Sequence, residues 1–438
     1  MALSKKSWPM TAGDINIYYA RIFSDEQITY IVEFSEKMDI QRLKDSLKVL
    51  NDVLPILSTR LVKKNSRLYR VNAETVDWVI ELIETDRGPQ EAVLQFVAKP
   101  CDPLSEIPLK IRVIREVDRD TLCIKVDHVL SDAAGLKYLL YLLAEAYTSG
   151  KIVLPPNPRR GLGQVFRRIP PLKFLRAMKD ARFPRPGPPL IQGPFASTPP
   201  FIERVVIPPD RFVLMKQKAF RDGATINDIL LTAVYRVIFA NENVKEGMAY
   251  PVMVPVDLRR YLPEKLRCCI SNLAIGIYPV LEKISQESFM DTLGRVKNSM
   301  DDYKQHTPGI GSVLLISLAC LDGGKRMEQE FRLAAAHSPG SIILSNFGMI
   351  DHSKVRFDRL SIEHVYAVGP IQAPGMLIAV NSYRDALTLV VQGTDDRVQC
   401  FIHDFLKSII AEVELYIQAL PNNPKASNGH NIYQTQPL

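Results

Sequence analysis

The stretch Asp127-His128-Val129-Leu130-Ser131-Asp132-Ala133-Ala134-Gly135 lies between two different periodicities. Before it, Leu122, Ile124 and Val126 alternate as the residues of a strand do. After it, Leu136, Leu139, Leu140 and Leu143 recur at helical spacing as far as Gly150, which suits a C-cap. A strand-to-helix turn puts an imidazole at a sheet edge, where a cleft can form, and the near-neutral intrinsic pKa of histidine suits proton abstraction from a hydroxyl or amine. His128 is therefore a candidate general base. The spacing leaves a second reading open, in which His128 is an ordinary turn residue and Asp132 only caps the helix that begins at Ala133, worth about 1 kcal/mol.

The same alternation recurs on either side. Ile28, Tyr30, Val32 and Phe34 alternate as a half-buried strand, and Ile40, Leu43, Leu47, Leu50 and Leu54 then line one helix face. Strand and helix periods in turn point to a mixed α/β layer, with the helix packed on a sheet. Further on, Thr225 is placed to cap a helix bearing Ile226, Ile229, Leu230, Ala233, Val234 and Val237, and Val252, Val254 and Val256 form a strand. Residues 376–382 and 387–392 flank Tyr383-Arg384-Asp385-Ala386 as a hairpin, and a long amphipathic helix runs from Val398 to Leu420.

At 438 residues the chain exceeds the roughly 250–300 at which a single core stops growing, so two subdomains are expected. The divide falls in residues 154–210, where prolines recur and Arg159, Arg160, Arg167, Arg168, Lys173, Arg176, Lys179, Arg182 and Arg185 face only Asp180. This segment reads either as a solvated hinge or as a dock for a phosphate-bearing donor, an acidic carrier or an anionic membrane. The expected organisation is a first subdomain over 1–153, a linker or crossover over 154–210, a second subdomain over 211–420 and a disordered tail over 421–438.

Composition narrows the classes. With 46% hydrophobic and 24% charged residues, the chain is globular rather than collagen-like or broadly disordered, and the net charge of +7 is modest for its length. The basic segment carries only Phe166, Phe174 and Phe183 for base stacking, so nucleic acid is not an expected partner. The longest apolar stretch, 312–321, covers about half of the ~20 residues a membrane span needs, and no signal peptide precedes Trp8, so a cytoplasmic chain is expected. Peripheral membrane contact stays open. The six cysteines include no CxxC pair and read as reduced, mostly buried thiols, and no metal site is expected.

Taken with its neighbours, DHVLSDAAG resembles the HHxxxDG motif of the condensation-domain and chloramphenicol-acetyltransferase-like acyltransferase superfamily. In order along the chain, Trp8-Pro9-Met10-Thr11 is similar to the opening motif, Leu54 to Arg60 to "HPxLRTR", and Asn227-Asp228-Ile229-Leu230 to the "ND" helix. Val256-Asp257-Leu258-Arg259-Arg260 with Ser271-Asn272 resembles "DLR … GN", and Leu344-Ser345-Asn346-Phe347-Gly348 resembles "SNxG". The free-standing alcohol acetyltransferase, wax ester synthase and polyketide-associated branches are the nearest. The resemblance implies an α/β (α+β) fold of two acetyltransferase-like subdomains set as a V around a tunnel. It also implies acyl transfer from coenzyme A or a phosphopantetheinyl carrier protein to a hydroxyl or amine, with no tightly bound cofactor. His128 would be the base, and Asp132 would brace the motif through Arg259, or failing that Arg260. Ser345, Asn346 and Gly135 would contact the oxyanion or substrate, and Arg167, Arg168 and Arg176 are candidates for donor phosphates. The sequence departs from the motif where Asp127 replaces the first histidine and Ala133 replaces the glycine. With the basic segment, Ala133 motivates the alternative of a non-catalytic scaffold that keeps the fold.

Overall fold

The computed structural model describes residues 7–65, 67–73, 80–153, 157–178, 181, 184–190, 200–337, 340–372 and 375–419. The expected tail over 421–438 lies outside these residues. The first half runs β1 (Ser7–Pro9), α1 (Ala12–Ala20), β2 (Gln27–Phe34), α2 (Ile40–Val53), β3 (Thr59–Lys64), β4 (Arg67–Asn72), β5 (Ile80–Glu84), α3 (Gln90–Ala98), β6 (Leu109–Arg115), β7 (Asp120–Asp127) and α4 (Ala133–Ser149). Two short helices follow, α5 (Gly163–Phe166) and α6 (Pro171–Ala177). The second half comprises β8 (Pro200–Ile207), α7 (Pro209–Arg221), α8 (Ile226–Ala240), β9 (Ala249–Asp257), α9 (Glu264–Arg267), β10 (Ala274–Ile277), β11 (Val280–Glu282), α10 (Phe289–Gln305), α11 (Ile310–Ala319) and α12 (Lys325–His337). It ends with β12 (Ile342–Ile350), β13 (Ile362–Val368), β14 (Met376–Tyr383), β15 (Ala386–Thr394) and α13 (Asp396–Gln418).

Two large sheets organise the chain, beside a small one ordered β1-β4-β3, and the core around the first large sheet also takes in Ile343, Leu377 and Val390 of the second. The first has strand order β13-β2-β7-β6-β5, and the second β10-β9-β12-β14-β15-β8, with β11 also paired to β9. β12 runs parallel to both β9 and β14, whereas β14 and β15 form the expected antiparallel hairpin. Its turn residues Arg384 and Asp385 have φ of 45° and 64°, the left-handed pair that matches strand twist in a two-residue turn. Thr225 caps α8, and Gly150 closes α4 at φ 70°.

β2 differs from the half-buried strand expected. It lies between β13 and β7, and nearly all its residues are buried. α4 packs on it, and α3 packs on β6 and β7. Lys125 of β7 donates to the carbonyls of Phe96, 2.6 Å away, and Lys99 at the end of α3, so this polar position is covered too. A strand covered on both faces carries no burial alternation.

The divide at 154–210 is also corrected. β13 lies far into the second half in sequence yet completes the first sheet, antiparallel to β2. β8, inside the expected linker, is an edge strand of the second sheet, paired with β15. Of the six free cysteines, Cys101, Cys123 and Cys269 are buried and Cys400 is exposed. Among the described residues no single helix is long and apolar enough to cross a membrane.

Candidate active site

β7 stops where the buried Asp127 turns the chain. Its carboxylate accepts from Val129 N at 2.9 Å and pairs with Arg21, while Leu130 N donates to Asp127 O. His128 N donates to Glu26 O at 2.8 Å, just upstream of β2, so the backbone that carries the imidazole is fixed. The ring is half-buried, and Nδ1 lies 3.1 Å from Asn272 Oδ1. Asn272 Nδ2 donates to Asp14 Oδ1 at 2.9 Å and to Val129 O at 3.2 Å. Since both acceptors require the amide nitrogen, the amide oxygen must face the ring. In the neutral imidazole the proton therefore sits on Nδ1, and Nε2 keeps its lone pair.

Asp14 is buried at the first turn of α1, where it forms a capping box with Thr11. Arg160 Nη2 donates to its Oδ1 at 2.9 Å, and Arg70 Nη2 lies 3.5 Å from Oδ2. Burial pushes the carboxyl pKa up, but Arg160, Arg70 and the Asn272 amide together outweigh it and hold it below its ordinary value. The same two arginines clamp the turn: Arg160 Nη1 donates to Leu130 O at 2.8 Å and to Ile270 O, and Arg70 donates to Val129 O.

Asp132 caps α4. Its Oδ1 accepts from Gly135 N at 2.9 Å, and its Oδ2 accepts from Leu273 N at 2.7 Å and Arg259 Nη1 at 2.9 Å. Arg259 Nη2 reaches Cys269 O and Ser271 O at 3.1 and 2.9 Å. The structure thus joins Asp132 to Arg259, while Arg260 is exposed. Both oxygens are engaged by fixed donors, one of them the Arg259 guanidinium, so the carboxylate is held ionised as a brace between α4 and Arg259.

Gly135 is corrected from a substrate contact to a packing position. Its N–H is taken by Asp132, and a Cβ there would come within 2.0 Å of Ser131 Oγ and 3.2 Å of Arg259 Nη2. Gly135→Ala is expected to cost about 1–3 kcal/mol, measured by denaturant unfolding. Ser345 and Asn346 sit on β12. Asn346 is occupied, donating to Asn227 Oδ1 at 2.6 Å and accepting from Gly348 N at 2.7 Å. Lys137 of α4 ties this strand to the motif helix by donating to Phe347 O at 2.7 Å, and burial pushes its ammonium pKa down to about 8. Arg167 is exposed, Arg168 Nη1 donates to Gln164 O, and the side chain of Arg176 lies outside the described residues.

The Condensation domain family model matches residues 17–158. The first condensation domain of the CDA synthetase aligns with a TM-score of 0.71 at 15% identity, covering 94% of this chain and 97% of that one. The chain has the condensation-domain fold. Polyketide synthase associated protein 5 from Mycobacterium tuberculosis shares that fold, with a TM-score of 0.65 at 13% identity and coverage of 94% and 99%. So does the EpoB NRPS cyclization-docking bidomain from Sorangium cellulosum, at 0.69 and 14%, covering 94% and 85%. Among curated proteins none matches the chain in sequence. The mixed α/β class expected from the sequence is the class of these structures, and the family model matches the part of the chain that carries DHVLSDAAG.

Within this condensation-domain fold, Asp14, Arg70 and Arg160 were missed by sequence reasoning. Thr11-x-x-Asp14 carried a capping signal, but nothing local marked the carboxylate as buried beneath a histidine. Arg160 was counted with the solvated charges of the proline-rich segment, whereas its guanidinium packs into the site.

Proposed function

We propose that the protein is an acyltransferase that moves an acyl group from a thioester, on coenzyme A or a carrier's phosphopantetheine, to a hydroxyl or amine. The supporting observation is the Asp14–Asn272–His128 chain, which leaves Nε2 as the basic atom. In this reading Nε2 takes the acceptor's proton as its oxygen or nitrogen attacks the thioester carbonyl. The tetrahedral intermediate then expels the thiolate, which recovers that proton from the imidazolium. No acyl-enzyme forms. His128 would stand in a passage between two subdomains set as a V, with donor and acceptor entering from opposite faces. Arg167 is the exposed candidate for a donor phosphate.

Incubation with acyl-CoAs and panels of alcohols and amines, read as free-thiol release, tests the proposal. Release that depends on the acceptor supports transfer, and its absence across donors, carrier-bound thioesters included, favours the scaffold reading. That alternative is weakened because Ala133 begins a regular, capped helix and Arg160 of the basic segment serves the motif.

Asn272 acts through His128 and is a positioning residue. Asn272→Ala is expected to lower kcat about tenfold, the worth of one such hydrogen bond, with KM within about twofold. A rise in KM with unchanged kcat would assign Asn272 to substrate binding instead.

A further inference from the structure

α11 is apolar on more than its packed side. Ile310, Val313 and Ile316 are buried, while Leu318 is 58% exposed and Leu321, just beyond the helix end, is 74% exposed. With the half-buried Leu314 they form a row at helical spacing facing away from the core. A core-packed helix needs one apolar stripe, so this second row is unexplained by folding.

Cations gather beside it. Lys63, Lys64 and Arg67 are exposed at the tip of the β3–β4 hairpin, and Lys325 and Arg326 are exposed at the start of α12. The tip and the helix are neighbours: a Cβ on Gly323 would come within 2.6 Å of Arg67 Cγ. No ion pair engages any of these five among the described residues, although Lys63 exerts a longer-range pull on Glu328. Of the carboxylates nearby, Glu328 pairs with Arg332 at 2.9 Å, whereas the exposed Asp322 accepts only from the backbone N–H groups of Gly324 and Arg326 and keeps its charge. Glu330 is exposed on the first turns of α12, so five cations face two exposed carboxylates, Asp322 and Glu330.

We infer that this face docks on an anionic lipid surface, with Leu318 and Leu321 entering the acyl-chain boundary and the five cations at the headgroups. A second copy of the chain would bring like charges together, which opposes self-association. The face adjoins the candidate site. α11 packs on α1, and Cys320 Sγ lies 3.8 Å from Ala12 O, two residues before Asp14. Docking here is independent of the acyl-transfer reading.

The test is co-sedimentation of the full chain, without thioester, with phosphatidylcholine vesicles containing about one third phosphatidylglycerol. The chain is expected to sediment with these vesicles, to stay in solution with phosphatidylcholine alone, and to be released at about 0.5 M salt. Leu318→Ser/Leu321→Ser and Lys63→Glu/Lys64→Glu should each weaken binding about tenfold or more, with circular dichroism unchanged. The lysine pair, being exposed, keeps the test valid if the leucine pair disturbs folding. Failure of the native chain to sediment, or equal sedimentation by both variants, overturns the inference. So does a dimer that the leucine variant dissolves without any vesicle binding.

Discussion

His128→Ala is expected to lower acyl transfer about 10²–10⁴-fold, the usual worth of a positioned general base. The fold should survive, because the substitution keeps the His128 N to Glu26 O hydrogen bond and removes a half-buried ring. The principal cost is to Asn272 Oδ1, which loses its ring partner, about 1 kcal/mol and a few degrees in Tm. Initial rates of acceptor-dependent thiol release, beside thermal unfolding of the same preparation, separate chemistry from stability. Turnover retained by a folded His128→Ala protein would remove the imidazole from the mechanism.

Arg259→Ala is expected to be the most destabilising single change at the site, about 3–5 kcal/mol. It strands the buried Asp132 carboxylate and withdraws donors from Cys269 O and Ser271 O. The pH dependence carries a sign. Burial pushes the Asp132 pKa up, but Arg259 and the Gly135 and Leu273 amides bring it below its ordinary value of 3.8. The folded chain then binds fewer protons than the unfolded one, so this contribution is present above about pH 4 and is lost as pH falls through the depressed folded value. Without Arg259, burial dominates and the folded pKa rises above the unfolded one. The gap in Tm between the native chain and Arg259→Ala should therefore be widest near neutrality and narrow toward pH 4. A gap independent of pH would mean that Asp132 is not the group left uncompensated. Asp132→Asn in the same background should recover part of the loss.

The motif turn was legible because its two flanks carry strong and different periods, and β7 and α4 fall where those periods change. Thr225 and the 383–386 turn were legible for similar local reasons, a capping side chain and a short break between alternating runs. Arg259 was within reach because the motif resemblance supplied its partner, not because its own neighbours did. What escaped were juxtapositions across long stretches of chain. Asp14 meets Asn272, Arg160 meets Leu130, and β13 meets β2, and no window of sequence holds both members of any such pair. Gly135 misled for the opposite reason: its place beside the motif suggested an open backbone, while the arginine it makes room for comes from another part of the chain.

The late arrival of β13 bears on synthesis. Until residues 362–368 leave the ribosome, β2 is paired on one side with β7 and open on the other, and it presents Tyr30, Val32 and Phe34 along an open row of amides. A nascent chain halted before that point, or a gene fragment ending near residue 153, would expose a sticky rim to other chains. Chaperone dependence should therefore persist through most of translation and end once the closing strand has docked.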